Sequence, residues 1–312
     1  MFSGRDTFLM ALLDLIIIGA GPSGMTAAIY AKRKGLSTLV IAEAVGGQVT
    51  KTGNIENYPG YERIPGPQLA AVIKKQMEDL KIDIRLSRVT KVTPGDGVFS
   101  VNTADGGSAE ARAIIIATGS HWRELNVPGE EEFKNKGVSY CTTCDAPLFS
   151  GMDVAVVGGG NSATEAVMDL LNFCPKIYLI VRSTLKADKM GVDRIMASGK
   201  VTPCIGYHVT KINGRDFVES VEIASDAGEH KTLSVGGIFV EVGQLPNASF
   251  ARELVKLNDR GEIITDEFCN TSTKGIFACG DVTDVPQKQI IVAAGEGAKA
   301  AMSAFSYISA CR

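Results

Sequence analysis

Leu15-Ile16-Ile17-Ile18-Gly19-Ala20-Gly21-Pro22-Ser23-Gly24 stands near the start of the chain. Four consecutive branched apolar residues read as a strand buried on both faces, and the glycines hand the chain to a helical stretch from Met25 to Lys34. In such a turn Gly19 permits the tight bend and Gly21 lets the backbone approach a pyrophosphate. Gly24 lets helix and strand pack closely, while Pro22 and Ser23 complete the turn. The helix N-terminus then faces the phosphates. A second strand, Ser37 to Ile41, leads to Glu43, nineteen residues after Gly24, where a carboxylate binds a ribose hydroxyl. The turn alone is weak; with the strand and the acid it reads as dinucleotide binding.

The pattern then restarts. Asp153-Val154-Ala155-Val156-Val157 runs into Gly158-Gly159-Gly160-Asn161-Ser162-Ala163 and a helix through Leu171, with Ala163 replacing glycine at the helix-packing position. The next strand, Ile177 to Val181, ends at Arg182, nineteen residues after Ala163. The two units are in register. An acid at the ribose position favours an unphosphorylated ribose and an arginine accommodates a 2′-phosphate, so two different dinucleotides are expected.

Between the units lies Cys141-Thr142-Thr143-Cys144-Asp145. Two thiols this close form a reversible disulfide, and the adjoining carboxylate can give or take the proton each exchange needs. A structural zinc site wants a second ligand pair, but Cys174, Cys204, Cys269, Cys279 and Cys311 are scattered singly, so no metal is expected. Cys279 reads as core and Cys311 as an incidental thiol. His121, His208 and His230 share no spacing and are given no catalytic role.

The chain has 312 residues, enough for two domains. A net charge of -3 and a pI near 5.8 give no case for nucleic acid or an anionic membrane surface. Seven cysteines without a dense framework fit a reducing cytosol. The apolar residues Phe8 to Leu13 resemble a signal peptide, but Asp14 interrupts the run and the strand at Leu15 follows at once, so residues 1–9 are expected to be a loose extension. No stretch reaches the length of a membrane span.

The loops Gly46-Gly47-Gln48 and Glu56-Asn57-Tyr58-Pro59-Gly60 precede an amphipathic helix from Pro67 to Leu80. Ile82 to Ala113 alternates around glycine turns and predicts an antiparallel excursion, closed by the strand Ile114-Ile115-Ile116-Ala117-Thr118-Gly119. From Val201 to Val242 short strands are expected, with turns at Asn213-Gly214 and Asp226-Ala227-Gly228. A last apolar strand delivers Asp281 before a helix from about Gln289 to Ile308. A dithiol beside two dinucleotide folds adds up to an electron relay. Nicotinamides rarely exchange directly with thiols, so a flavin intermediary, FAD on the first unit, is expected.

In these motifs, together with Lys288-Gln289, the chain resembles the low-molecular-weight thioredoxin reductases over essentially its full length. From Gly261 through Gly297 it is also similar to the reductase part of the flavoprotein that serves alkyl hydroperoxide peroxidase, without that protein's thioredoxin-like N-terminal extension, which favours a separate acceptor. The resemblance implies an α/β protein of two Rossmann-like, three-layer ββα domains, the second inserted in the first. An FAD domain would be formed by residues 1–120 and 246–312, and a nicotinamide domain carrying the CxxC pair by 121–245. It further implies a cytoplasmic homodimer, with a rotating inserted domain that brings dithiol and nicotinamide to the flavin in turn, and a thioredoxin or thioredoxin-like protein as partner. Cys144 would face the flavin, Cys141 would attack the substrate disulfide, and Asp145 would be the acid and base. Gly47, Gln48, Asn57, Val89, Thr118, Gly119, Asp281, Lys288, Gln289 and Ile290 would join the first turn in contacting FAD. Asn161, Ser162, Glu165, Arg182, Ser183 and Lys186 would join Gly158, Gly160 and Ala163 in binding NADPH or NADH.

One segment departs from the family. NADPH-dependent relatives carry His-Arg-Arg after the second strand and another arginine four residues on, whereas this chain has Val181-Arg182-Ser183 and then Lys186. A thinned clamp predicts that NADPH and NADH are both usable with poor discrimination. Alternatives are a flavin disulfide reductase fed by ferredoxin or a deazaflavin, a reductase of a peroxidase component, and a non-enzymatic FAD-binding redox sensor.

Overall fold

In the computed structural model, which describes residues 12–311, the opening apolar run is strand β1 (Leu13–Ala20), followed by helix α1 (Pro22–Arg33) and β2 (Thr38–Val45). The helix starts three residues before Met25 because Pro22, lacking an N–H and with φ preset, occupies its first turn. The hairpin β3 (Asn54–Ile55) and β4 (Ile64–Pro65) leads to α2 (Gly66–Asp79), then β5 (Asp83–Leu86), β6 (Val89–Pro94), β7 (Phe99–Thr103) and β8 (Ser108–Ile116). The reading of residues 1–9 as an extension lies outside the described residues.

Only part of the expected excursion is antiparallel. β5 joins the parallel sheet beside β2, whereas β6 and β7 pair antiparallel with each other and with the first half of β8. The second half of β8 returns to run parallel beside β1. One strand thus serves two sheets, which its continuous Ala113 to Ile116 run permits because both faces are covered.

The chain crosses between two compact units in β9 (Ser120–Trp122) and again in β18. One unit comprises Met1–His121 and Leu245–Arg312, the other Trp122–Gln244. The second contains β10 (Val138–Ser139), α3 (Thr142–Asp145), β11 (Val154–Val157), α4 (Asn161–Leu170), β12 (Ile177–Val181), α5 (Lys189–Ala197), β13 (Val201–Ile205), β14 (Tyr207–Gly214), β15 (Val218–Ser225), β16 (His230–Ser234) and β17 (Gly237–Val240). The first unit resumes with β18 (Gln244–Pro246), β19 (Ile276–Ala278), which pairs parallel with β8, and α6 (Ile290–Ala310). β14 runs through Asn213-Gly214 rather than turning there. A Cβ on Gly214 would meet the Phe217 carbonyl at 1.9 Å, so this glycine serves close approach and the turn comes after it.

Each unit has the same three layers, and alternate residues of its central strands feed two cores. In the first, Leu15, Ile17 and Ile115 face α1 and α6, while Ile16, Ile18, Ile114 and Ile116 face the β6–β7 layer. In the second, Val154, Val156 and Leu179 face α4, while Ala155, Val157 and Ile180 face the antiparallel sheet β14-β15-β16. Central sheets β5-β2-β1-β8-β19 and β10-β17-β11-β12-β13 therefore carry both glycine turns at the carboxyl ends of their strands, where open α/β sheets bind ligands. Among the described residues no helix is long and apolar enough to cross a membrane.

Candidate functional site

Each glycine turn has at least one position that backbone crowding reserves and one that is open. In the first unit a Cβ on Gly19, whose φ is +109°, would lie 2.3 Å from the Ala117 carbonyl, and one on Gly24 would lie 2.0 Å from the Gly19 carbonyl. Gly21 would meet nothing within 4 Å, so its face is free for a ligand. α1 starts with no side-chain cap and no acid in its first turn, which leaves its N–H groups and positive dipole end to an anion. This combination fits a dinucleotide pyrophosphate.

Two more glycines lie against the same turn, and several of the expected FAD contacts are hydrogen-bonded elsewhere in the unit. A Cβ on Gly47 would lie 3.1 Å from the Gly21 Cα, and one on Gly280 would lie 2.6 Å from the Ser23 hydroxyl oxygen. Gln48 donates from Nε2 to the Ser120 carbonyl at 2.5 Å, and Asn57 donates from Nδ2 to Gln289 Oε1 at 3.3 Å. Thr118 donates to the Asn247 carbonyl at 2.8 Å, and the Asn247 amide donates back to the Thr118 carbonyl at 3.0 Å. Glu43 lies exposed on β2. Burial raises the Asp281 carboxyl, opposed by the Lys288 ammonium. That ammonium pairs with Glu262 at 3.1 Å and donates to the Thr283 carbonyl, while Ile290 opens α6. Val89 is buried in the core cluster with Ile16, Ile18 and Val101.

In the second unit a Cβ on Gly158 would lie 2.3 Å from the Glu241 carbonyl, and Gly160 faces open space. α4 too begins without a side-chain cap or a first-turn acid. Asn161 is committed to the next loop, donating to Asp188 at 2.9 Å and receiving the Asp188 N–H at 2.9 Å. The Lys186 N–H bonds the Gly159 carbonyl, which folds the segment after β12 over the turn. Ser162, Glu165, Arg182, Ser183 and Lys186 are exposed while Ala163 is fully buried.

In that unit Cys141 and Cys144 form a disulfide with Cα atoms 5.3 Å apart. Cys141 caps the single turn α3, and the Cys144 and Asp145 N–H groups return to its carbonyl. Ser139 donates to Asp145 Oδ2 at 2.7 Å and accepts the Cys141 N–H at 3.1 Å. Burial raises the Asp145 carboxyl, and the Ser139 bond partly opposes the rise. Such a group holds a proton more readily than an ordinary aspartate, as an acid beside a thiol pair should.

Several residues carry no sequence signal of their role. Glu130, buried, accepts from the Leu125 and Asn126 N–H groups and from Tyr140 Oη at 2.8 Å. Tyr140 stacks on Trp122 with ring centroids 5.6 Å apart, which braces the segment entering the dithiol. Asp169 on α4 accepts from Thr142, so α4 holds the helix that carries Cys144. Glu241, next to Gly158, is pushed up to about 8 by burial and by the carboxylates Glu165 and Asp169. Cys174, Cys204, Cys269 and Cys279 are buried and Cys311 is exposed.

Known proteins place this geometry. The family model for pyridine nucleotide-disulphide oxidoreductases matches residues 13–297. The solved thioredoxin reductase of Streptococcus pyogenes is 40% identical and superposes with a TM-score of 0.92, covering 96% of this chain and 99% of that one. The thioredoxin reductase of Giardia duodenalis is 32% identical with a TM-score of 0.91, covering 95% and 99%. The F component of alkyl hydroperoxide reductase from Staphylococcus aureus (strain Mu50) is 42% identical over 298 residues, which cover 95% of this chain. The chain spans 59% of the length of that relative.

Proposed function

Because the chain belongs to the pyridine nucleotide-disulphide oxidoreductase family, we propose that it passes electrons from NAD(P)H through FAD to the Cys141–Cys144 disulfide, and from there to the disulfide of a thioredoxin-like protein. In this reading the discontinuous unit holds FAD and the inserted unit holds the nicotinamide nucleotide and the dithiol. The observation that carries it is the Cys141–Cys144 disulfide beside a half-buried, readily protonated Asp145, in the same unit as an uncapped glycine turn. The full-length likeness to solved thioredoxin reductases supports the acceptor. The relationship to the alkyl hydroperoxide reductase component supports a second acceptor, a peroxidase component.

Bound FAD supplies the link between hydride and thiol chemistry. The chain's own residues bind, orient and move protons. The α1 N-terminus and Gly21 would hold the FAD pyrophosphate, and Glu43 would take the ribose hydroxyls. Arg182, with Ser183 and Lys186, meets the nicotinamide nucleotide's ribose end, where one guanidinium supports both NADPH and NADH. Cys141, as the thiolate, attacks the acceptor disulfide, and the departing sulfur takes a proton from Asp145. Cys144 then attacks the Cys141 sulfur, releasing the second acceptor thiol and restoring the Cys141–Cys144 disulfide.

Steady-state assays with NADH and NADPH, against the host's thioredoxins, glutaredoxin-like proteins and peroxidase component, test this reading. Turnover of a thioredoxin with either nicotinamide supports it; turnover of the peroxidase component alone favours the second acceptor. Flavin reduction without turnover of any disulfide protein points to a sensor. No reduction by either nicotinamide points to a ferredoxin or deazaflavin donor.

A further inference from the structure

Ser139 sits at the end of β10, buried, with no motif around it, yet its hydroxyl touches both parts of the redox centre. Its oxygen accepts the Cys141 N–H at 3.1 Å and lies 2.7 Å from Asp145 Oδ2 and 3.4 Å from the Cys141 carbonyl oxygen. We propose that Ser139 is a positioning residue for proton transfer at the dithiol, holding the Asp145 carboxyl in register with the Cys141–Cys144 pair in both of its protonation states. The inference rests on the reading of the dithiol and Asp145 given above.

The hydrogen-bond inventory of a serine makes this possible. When Asp145 is ionised, the single hydroxyl proton points to Oδ2, the shorter contact. When Asp145 is protonated, its own O–H donates to Ser139 Oγ and the serine proton turns to the Cys141 carbonyl. The Cys141 N–H stays on the oxygen throughout, so the carboxyl gains or loses a proton without releasing its anchor. In the reaction, the Cys141 thiolate forms a mixed disulfide with one acceptor sulfur. The other sulfur leaves with the electron pair of the broken bond and takes the Asp145 proton. Cys144 closes the disulfide in the second exchange. A basic leaving thiolate needs that proton, whereas an acidic aromatic thiolate departs without it.

The charged groups around this centre are few. The helix packed on α3 is α4, which presents Asp169, bonded to Thr142, and Glu165; Glu241 follows β17, the strand beside β10. The segment Ala146–Phe149 brings no titratable group. Only burial and the Ser139 bond shift Asp145 perceptibly. Removing the hydroxyl therefore raises the Asp145 carboxyl further, because the lost bond favoured the charged form.

The test uses flavin-loaded protein reduced with dithiothreitol, desalted without oxygen, and mixed with bis(2-hydroxyethyl) disulfide or 5,5′-dithiobis(2-nitrobenzoate). Ser139→Ala is expected to slow the aliphatic disulfide about tenfold at neutral pH and to leave the aromatic one within about twofold. The Asp145-controlled limb of the aliphatic pH profile moves up by about one unit. Ser139→Thr restores the rate and Ser139→Val, of the same shape without the hydroxyl, does not, which preserves the test if the alanine variant folds poorly. In an Asp145→Asn background Ser139→Ala has no further effect. Equal slowing of both disulfides, slowing of neither, or an undiminished effect in that background overturns the proposal. Neither nicotinamide nor a protein acceptor is present, so an error in the proposed donor or acceptor leaves this result untouched.

Discussion

At the first glycine turn the crowded contact lies between the third glycine and the first, with a Cβ on Gly24 falling 2.0 Å from the Gly19 carbonyl. At the second turn Ala163 already carries that methyl, fully buried, while Gly158 is crowded by the Glu241 carbonyl at 2.3 Å just as Gly19 is by the Ala117 carbonyl at 2.3 Å. Both turns leave the middle glycine open and the helix start uncapped. What the two share is therefore the phosphate-facing geometry. What differs is how tightly the helix must pack and which charges stand nearby. Around the first turn a half-buried Asp281 faces the Lys288 ammonium as well as the Glu296 carboxylate, whereas Glu241 beside the second faces the carboxylates Glu165 and Asp169.

Substituting the crowded glycines breaks this comparison most visibly. Gly24→Val forces backbone apart at the first turn, and the purified protein is expected to lose most of its bound flavin. Gly158→Val, which strains the second turn, keeps the flavin and loses its reduction by nicotinamide; overpacking of this kind costs roughly 1–3 kcal/mol locally. Flavin absorbance and anaerobic reduction separate the two, and equal flavin loss in both variants would remove the assignment of one nucleotide to each turn.

A smaller effect sharpens the electrostatic difference. Glu241 titrates near 8 in the folded protein against 4.5 ordinarily, so between those values the native state holds a proton the unfolded chain has released. Stability then falls as pH rises from about 4.5 to about 8. Glu241→Gln removes this loss, and its stability advantage over the parent, followed as Tm, is expected to widen from pH 5 to pH 8, by at most roughly 3–4 kcal/mol. A constant difference in Tm across that range would show that the carboxyl is ionised throughout.

The smallest effect concerns the ribose end of the second turn. Arg182→Ala is expected to lower kcat/KM for NADPH about tenfold and for NADH less than about twofold, because one exposed guanidinium is the main cation there. In the parent protein the two nicotinamides should differ little. A preference of about a hundredfold, the size of a full arginine clamp, would show that other groups read the 2′ position.

The layered fold was legible because its strands are buried on both faces. Leu15 to Ile18 and Val154 to Val157 read as continuous apolar runs, and the glycines after them have few other uses. The dithiol was legible from its spacing together with the adjoining Asp145 and the scatter of the other cysteines. Ser139 was not, since one serine two residues before a cysteine has no pattern, and its role exists only where β10 and α3 meet. Glu241 and Asn247 were hidden likewise, for they reach their turns from strands distant in sequence. Asn213-Gly214 misled because glycine there serves a close approach to Phe217 rather than a turn. Helix α5, nine residues long with Ile195 buried, was not anticipated.

Anaerobic mixing of the flavin-loaded protein with NADH or NADPH, in parent and Cys144→Ser forms, with flavin absorbance and protein thiols followed together, tests the relay most directly. The expected result is that either nicotinamide bleaches the parent flavin and two new thiols appear per nicotinamide consumed beyond flavin reduction, while the Cys144→Ser flavin bleaches without generating thiols. Flavin that stays oxidised with both nicotinamides, or that is reduced while the Cys141–Cys144 disulfide persists in the parent, would contradict it.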